Sequence, residues 1–187
     1  LGVDYSMDKS TLFYASAATG YKAGSFFDGV KTATFDNTFK PENVTTYELG
    51  LKMRGFDGTL QTNVALFKSD YKDLQVSFRG LVPGSISVVT VTQNAAKAGI
   101  TGAEFESRWL SPIGRFDLSL ALLDAKYDSY NPPNANPPVN FTGNRLIKSP
   151  RVSGNLAYQY SWYLLGGDIT ARLSSLFGQI LPSSGQS

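Results

Sequence analysis

The feature that most constrains the fold is a strict alternation of apolar and polar side chains, clearest in VTTYELGLKMRG at 44–55. From residue 47 onward, alternate positions are apolar and the positions between them carry the charges. Because successive side chains of a β-strand point to opposite faces, the segment predicts a strand with one apolar and one charged face. A soluble sheet buries its apolar face in a core, whereas a membrane barrel turns it outward to lipid. One strand leaves both arrangements open.

The same alternation recurs along the chain, and no segment has the period of a helix. In one example, Phe116 and Leu118 alternate with Arg115 and Asp117. Residues 88–97 are compatible either with a loop or with an extension of the fifth strand. The pattern predicts eight strands, over residues 1–7, 11–24, 43–54, 59–78, 88–110, 115–129, 150–162 and 168–178.

Short turns alternate with long connections between these strands. Short breaks between alternating runs are the signal of a β-hairpin, and consecutive connections of a meander lie at opposite ends of the sheet. We therefore predict an antiparallel up-and-down sheet with short turns at one end and long loops at the other. The short breaks are DKS (8–10), GFDG (55–58), SPIG (111–114) and LLGG (164–167), and the long connections are 25–41, 79–87 and 131–144.

The composition excludes several classes of function. The 187 residues contain no Cys and no His, so this stretch has no disulfide, no thiolate zinc site and no Ser-His or metal-His arrangement. The net charge of +2 and the lack of a dense basic run argue against a nucleic-acid partner. We predict no enzymatic activity, no catalytic residue, no metal site and no cofactor.

Four carboxylates, Asp70, Asp73, Asp124 and Asp128, invite a comparison with calcium ligands. Such carboxylates can share a hard cation, but no Gly-turned loop of the required pattern accompanies them. We therefore predict that they are polar residues at the outer ends of strands.

Three observations favour lipid over a soluble core. Eleven residues tilted by about 45° span roughly 25 Å, the apolar height of an outer-membrane barrel, whereas soluble strands average about five or six residues. Trp109, Trp162 and Tyr163 lie beside short turns, as expected for the aromatic girdle of a membrane interface. Short turns at one end and long loops at the other are typical of bacterial barrels. The alternation alone is also compatible with a large soluble β-sandwich or solenoid.

Five segments carry a resemblance to a known family. They are YASAATGYKAGSF (14–26), FKPENVTTYELGLK (39–52), LFKSDYKDLQVS (66–77), NAAKAGITGAEFES (94–107) and FTGNRLIKSPRVSGN (141–155). In this order, and in the register of the predicted strands, they resemble the β-barrel of TonB-dependent outer-membrane receptors. The resemblance covers nearly the whole chain.

The resemblance implies an all-β fold, a transmembrane antiparallel up-and-down β-barrel of 22 strands. Residues 1–187 would supply about eight of them as a partial β-barrel domain, without the plug domain and the closing C-terminal strands. The chain would be a fragment of a monomeric protein in the outer membrane of a Gram-negative bacterium, in contact with outer-membrane lipid. It would import a scarce ligand, driven by TonB through the N-terminal region. A ferric siderophore or similar iron complex is the expected ligand, with haem, cobalamin and oligosaccharides as other family ligands.

The alternation assigns side chains to the two faces of this barrel. The polar set is expected to form the lumen wall, either as a network of charge pairs or in contact with the plug or passing substrate; its residues are Glu48, Lys52, Arg54, Glu104, Glu106 and Arg108. The apolar set is expected to face lipid, and its residues are Tyr47, Leu49, Leu51, Met53, Phe105, Trp109, Phe116, Leu118, Leu120 and Trp162.

The long loops are expected to carry the contacts with the ligand. Exposed aromatic residues on loops are unfavourable without a partner, which makes ligand capture a reasonable hypothesis. Packing of the loops on one another would explain the same residues equally well. The candidates are Phe26, Phe27, Phe35, Phe39, Arg79, Tyr130 and Phe141.

Two other functions stay open at the level of sequence. The first is a complete small barrel of about eight strands that acts as a structural anchor or adhesin, with a side-chain-filled interior. The second is a soluble β-sheet binding protein.

Overall fold

The computed structural model of the protein describes residues 1–26, 37–81, 88–132 and 139–178. It consists of β-strands and a single 3₁₀ turn at Phe56–Gly58 within these residues. The strands are β1 (Gly2–Ser6), β2 (Thr11–Lys22), β3 (Ser25–Phe26), β4 (Thr38–Phe39), β5 (Glu42–Gly55), β6 (Leu60–Leu81), β7 (Val88–Ser111), β8 (Gly114–Tyr130), β9 (Val152–Leu164) and β10 (Gly167–Gly178).

Eight of the strands form one sheet in the order β1-β2-β5-β6-β7-β8-β9-β10. Every neighbouring pair in this sheet is antiparallel, so the chain runs up and down as a meander. The two remaining strands, β3 and β4, pair with each other as a short hairpin between β2 and β5. The predicted eight strands are confirmed, and β7 begins at Val88, which makes residues 88–97 part of the strand.

The connections alternate in length as predicted. In the first turn, Asp8 accepts hydrogen bonds from the backbone N–H and the hydroxyl of Ser10, at 2.6 and 2.7 Å, and these bonds hold the pKa of the Asp8 carboxyl below its usual value. In the last, Leu165 and Gly166 have φ of 53° and 88°, the backbone that a two-residue hairpin of the right twist requires. Short turns cover 7–10, 56–59, 112–113 and 165–166 at one end of the sheet. At the other end, 23–41 separate β2 from β5 and 131–151 separate β8 from β9, and six residues separate β6 from β7.

Near the long-loop end, the regular register of β6 and β7 is interrupted. Tyr71 pairs with Ala98, but Gln75 pairs with Asn94, because extra residues bulge from both strands between these pairs. Beyond the bulges the two strands stay paired as far as Leu81 and Val88. We call residues 75–81 and 88–94 the β6–β7 extension.

The sheet has little conventional core in the part of the chain that the structure describes. One buried cluster, at the long-loop end, contains Ala96, Ala98, Tyr127 and Tyr130. Within the described residues, many of the large apolar side chains are exposed, including Tyr47 and Leu49 of β5. The described residues contain no helix that is both long and apolar enough to cross a membrane.

Candidate functional site

Six charged residues of β5 and β7 share one face of the sheet. Cross-strand partners point to the same face, and the register pairs Lys52 with Asn63 and Asn63 with Glu106. Two residues closer to the short turns, Gln61 of β6 pairs with Arg54 on one side and with Arg108 on the other. Glu48 and Glu104 follow by alternation along β5 and β7. We call this the polar face; it brings together Glu48, Lys52, Arg54, Glu104, Glu106 and Arg108.

A tyrosine that the alternation did not single out organises one part of the polar face. The hydroxyl of Tyr14 donates to Oε1 of Glu48 at 2.6 Å, a short charge-assisted bond. Nζ of Lys52 lies 5.1 Å from the centre of the Tyr14 ring, within the range of a cation–π contact. A Cβ at Gly50, the direct partner of Tyr14, would lie 2.1 Å from this ring. The ring therefore lies directly over the glycine and links Glu48 to Lys52.

A second group on the polar face is centred on Asp117. Its two carboxylate oxygens each accept from a different guanidinium, Nε of Arg108 and Nε of Arg115, both at 2.9 Å. One carboxylate thus holds two cations that would otherwise repel each other. Asn63 also donates to Glu106 over a longer 3.5 Å. These contacts join β6, β7 and β8 through their side chains as well as through the backbone ladder.

The Asp117 group lines an open recess of about 330 Å³ toward the short-turn end. Its charged lining consists of Arg108, Arg115 and Arg172 with the carboxylates of Glu106 and Asp117, and so carries one excess positive charge. Such a lining can hold anionic or hydrogen-bonding groups in water. Among the described residues, no group of three or more His, Cys, Asp or Glu is placed to hold a metal ion.

The opposite face, which we call the apolar face, exposes large hydrophobic side chains. Leu49 is 60% exposed and Tyr47 54%, although both lie in the middle of the sheet. Such a continuous exposed apolar surface is unusual for a soluble monomer. By alternation and register it holds Tyr47, Leu49, Leu51, Met53, Phe105, Trp109, Phe116, Leu118, Leu120 and Trp162.

The candidate ligand-loop residues do not form one group. Phe26 lies in β3 and is 71% exposed, and Phe39 lies in β4. Arg79 was expected in a loop, but β6 continues to Leu81 and pairs Arg79 with Thr90. Phe27 and Phe35 lie outside the described residues.

Tyr130 and Phe141 are packed together at the long-loop end. Tyr130 is 7% exposed, and its ring centre lies 4.8 Å from that of Tyr127 and 5.4 Å from that of Phe141. Backbone bonds run alongside, from Phe141 N–H to Tyr130 C=O and from Gly143 N–H to Tyr127 C=O. For these two residues the geometry favours packing of a loop on its strand over an open ligand contact.

Arg145 fastens the same loop to β8. Its Nη1 donates to Oδ1 of Asp124 at 3.1 Å, and its Nη2 donates to the carbonyl oxygens of Leu123 and Ser149, both at 3.0 Å. Lys126 contacts the other carboxylate oxygen of Asp124 at 2.8 Å. The carboxylate at position 124 is thus occupied by two cations from the protein itself.

Sequence reasoning missed four residues that organise these contacts: Tyr14, Arg115, Asp117 and Arg145. The alternation of β8 already put Arg115 and Asp117 on its polar side, which was a usable signal. Tyr14 gave none, because an aromatic residue on a polar face resembles any other aromatic of a strand. Arg145 lies in a loop, where no periodicity indicates its partners.

Comparison with known proteins agrees with this geometry. Residues 1–180 match the family model described as TonB dependent receptor-like, beta-barrel. The pesticin receptor of Yersinia pestis is 28% identical over 184 residues, which cover 97% of this chain and 23% of the relative. The curated relatives with the same name from Yersinia enterocolitica match to the same extent. The chain therefore spans about a quarter of the length of these relatives.

Solved structures show the same fold. The ferric yersiniabactin uptake receptor of Yersinia pestis superimposes with a TM-score of 0.70 at 23% identity, over 95% of this chain and 25% of that one. The alcaligin outer-membrane receptor of Bordetella pertussis gives 0.54 at 23% identity, over 88% and 26%. These relatives are receptors and not enzymes, and the family resides in the outer membrane of Gram-negative bacteria. The chain belongs to the TonB-dependent receptor β-barrel family, and its strands are part of such an antiparallel up-and-down barrel.

Proposed function

We propose that the protein containing this chain is an outer-membrane receptor that imports a scarce ligand, a ferric siderophore or similar iron complex, with energy supplied through TonB. The observation that carries the proposal is the division of the sheet into a charged and an exposed apolar face within a chain of this receptor family. This division is what a wall between lipid and a water-filled lumen requires.

In this proposal the apolar face contacts outer-membrane lipid and the polar face lines the lumen. Leu49, 60% exposed in the sheet, would cost free energy in water, at roughly 25 cal/mol per Å² of apolar surface. Contact with acyl chains removes that cost. Glu48 and Lys52 on the polar face would cost several kcal/mol in lipid, and contact with lumen water avoids that penalty.

The long-loop end of the sheet is then the outer mouth of the receptor. β6 and β7 contain 22 and 24 residues, whereas a membrane-spanning strand needs about 9–11. The β6–β7 extension therefore projects beyond the membrane. The β3–β4 hairpin and the loop that carries Phe141 lie at the same end, where an incoming ligand is first met.

The ligand class is supported by the names of the similar receptors, which include a ferric yersiniabactin uptake receptor and an alcaligin outer-membrane receptor. Within the proposal the polar face acts as a wetted wall along which the complex passes. The carboxylate of Glu48 is bonded to Tyr14, and that of Asp117 to Arg108 and Arg115, so these two serve as fixed polar contacts and not as acid–base groups.

Iron uptake tests this proposal. Cells that lack their own siderophore receptors and express the whole protein are given radiolabelled ferric yersiniabactin or ferric alcaligin. We expect uptake of at least one complex at low nanomolar concentration, and loss of that uptake when TonB is deleted. Equal uptake with and without the receptor for a broad panel of ferric siderophores would contradict the ligand class, and uptake that survives TonB deletion would contradict the energy source.

A further inference from the structure

Two side-chain amides fasten the connection between β2 and β5 to the β6–β7 extension. Gln75 and Asn94 face each other at the first register position of the extension. The Gln75 amide nitrogen donates to the carbonyl oxygens of Ala23 and Lys40, at 3.0 and 3.1 Å. Residues 23 and 40 flank the β3–β4 hairpin, so a single side chain holds both ends of the connection.

Asn94 binds the backbone of Lys40 in the way that a neighbouring strand would. Its Oδ1 accepts from the Lys40 N–H at 2.6 Å, and its Nδ2 donates to the Lys40 carbonyl at 2.9 Å. The same Nδ2 also donates to the carbonyl of Asp73 at 2.7 Å. An amide side chain can make this pair of bonds because it carries a donor and an acceptor side by side.

The bulges in β6 and β7 make these contacts possible. At the register shift between Leu74 and Gln75, the Gln75 N–H donates to the carboxylate of Glu42 at 2.9 Å. Asp73, with a left-handed φ of 55°, directs its carbonyl to Asn94. A Cβ at Gly24 would lie 2.3 Å from the carbonyl oxygen of Phe39, which shows how closely the base of the hairpin is packed. Bulges commonly redirect side chains in this way near functional sites.

We propose that Gln75 and Asn94 form an amide clamp, a pair of positioning residues that hold the β3–β4 hairpin at one fixed place at the outer mouth and thereby present Phe26 to the incoming ferric siderophore. The inference rests on the proposed function for the ligand, and on the hydrogen bonds alone for the clamp. Phe26 is 71% exposed, so its ring is accessible to a planar or apolar part of a ligand. A hairpin fixed in advance loses less conformational entropy on binding, which increases affinity without any new contact.

The chain offers a matched control for the clamp. Ser77 and Thr92 form the next cross-strand pair of the extension on the same face, and their hydroxyls are 2.8 Å apart. Their bond joins β6 to β7 without reaching the hairpin. The double variant Q75A/N94A therefore removes the clamp, whereas S77A/T92A removes a comparable polar pair and leaves it.

The first measurement needs no ligand. Spin labels are attached in the purified whole receptor at Ser25→Cys on β3 and Thr90→Cys on β7, and the distance distribution is recorded. We expect one narrow distribution in the parent and in S77A/T92A, and a broad or shifted one in Q75A/N94A. A distribution that stays narrow and unshifted in Q75A/N94A would overturn the clamp.

The second measurement concerns function. Binding of ferric yersiniabactin, or of the siderophore that uptake identifies, should weaken about tenfold or more in Q75A/N94A and less than twofold in S77A/T92A. In the triple variant K40C/Q75A/N94C, which lacks both clamp amides, the oxidised disulfide should restore affinity and reductant should remove it again, a response that loss of general stability does not produce. Unchanged affinity in Q75A/N94A would overturn the positioning role.

The two measurements separate the clamp from the proposed function. A parent receptor that binds no ferric siderophore would refute the proposed function and with it the role of Phe26. The spin-label distances would still decide whether the amides hold the hairpin.

Discussion

At the scale of single residues, the contact between Tyr14 and Gly50 shows why a polar face needs glycine. The Tyr14 ring lies over Gly50 and makes a cation–π contact with the ammonium of Lys52, and its hydroxyl donates to Glu48. A side chain at position 50 would push the ring away and break both contacts. The φ angle of Gly50 lies outside the left-handed region, so the backbone conformation does not require a glycine here. The close approach of the Tyr14 ring does.

The substitution Gly50→Ala should destabilise the barrel. The new Cβ would overlap the outer end of the Tyr14 ring, which must turn aside and lose its hydrogen bond to Glu48, so we expect a loss of about 1 kcal/mol in the free energy of unfolding, the usual net value of one hydrogen bond. The measurement is urea unfolding of the whole receptor in detergent. Gly55→Ala is the control, because nothing lies within 4 Å of a Cβ there. Tyr14→Ala should make Gly50→Ala nearly neutral, and additive losses in the double variant would contradict the account.

At the scale of elements, the segment from Phe141 to Ser149 continues the edge of β8 where β9 no longer pairs with it. β8 and β9 pair only as far as Leu122 and Val152. Beyond this point the backbone of β8 bonds to loop residues instead, as in the bond from Leu146 N–H to Ala125 C=O. Arg145 secures the arrangement through one carboxylate and two carbonyls. The loop therefore satisfies backbone groups that would otherwise stay unpaired.

Arg145→Ala should loosen this loop without unfolding the barrel. Loss of three hydrogen bonds, one of them to a carboxylate, should cost about 1.5–3 kcal/mol locally. We therefore expect amide exchange at Tyr127, Gly143 and Leu146 to accelerate about tenfold or more, measured by hydrogen–deuterium exchange of the whole receptor.

Two further variants define the cause. Arg145→Lys should accelerate amide exchange nearly as much as Arg145→Ala, because an ammonium lacks the planar guanidinium that donates to three acceptors at once. Arg151→Ala removes a nearby positive charge and should leave the exchange rates unchanged. If Arg151→Ala accelerated exchange as much as Arg145→Ala, net charge and not the bonding pattern would hold the loop.

Across the whole molecule, the division of the sheet into two faces was predictable from the sequence. The side-chain and loop contacts made on those faces were not. Strict alternation located every strand of the main sheet, because the period of a strand is a local property that no distant contact changes. The positions of Arg79, Tyr130 and Gln75 depend on bulges and on loops that return to distant strands. The predicted strands 59–78 and 88–110 already included most of the β6–β7 extension. Nothing in the local pattern at 71–75 indicates that the register shifts there, so the bulges and the clamp could be found only in the structure.

Cysteine accessibility distinguishes a sheet whose apolar face contacts lipid and whose polar face contacts the lumen from the reverse arrangement. Leu49→Cys and Lys52→Cys are introduced separately into the whole receptor, in a chain that contains no other Cys between residues 1 and 187. Intact cells are treated with a membrane-impermeant thiol reagent, and samples unfolded in detergent show that both thiols can react. We predict labelling at position 52 and protection at position 49. Labelling at position 49 with protection at position 52 would place the apolar face in water and contradict the account.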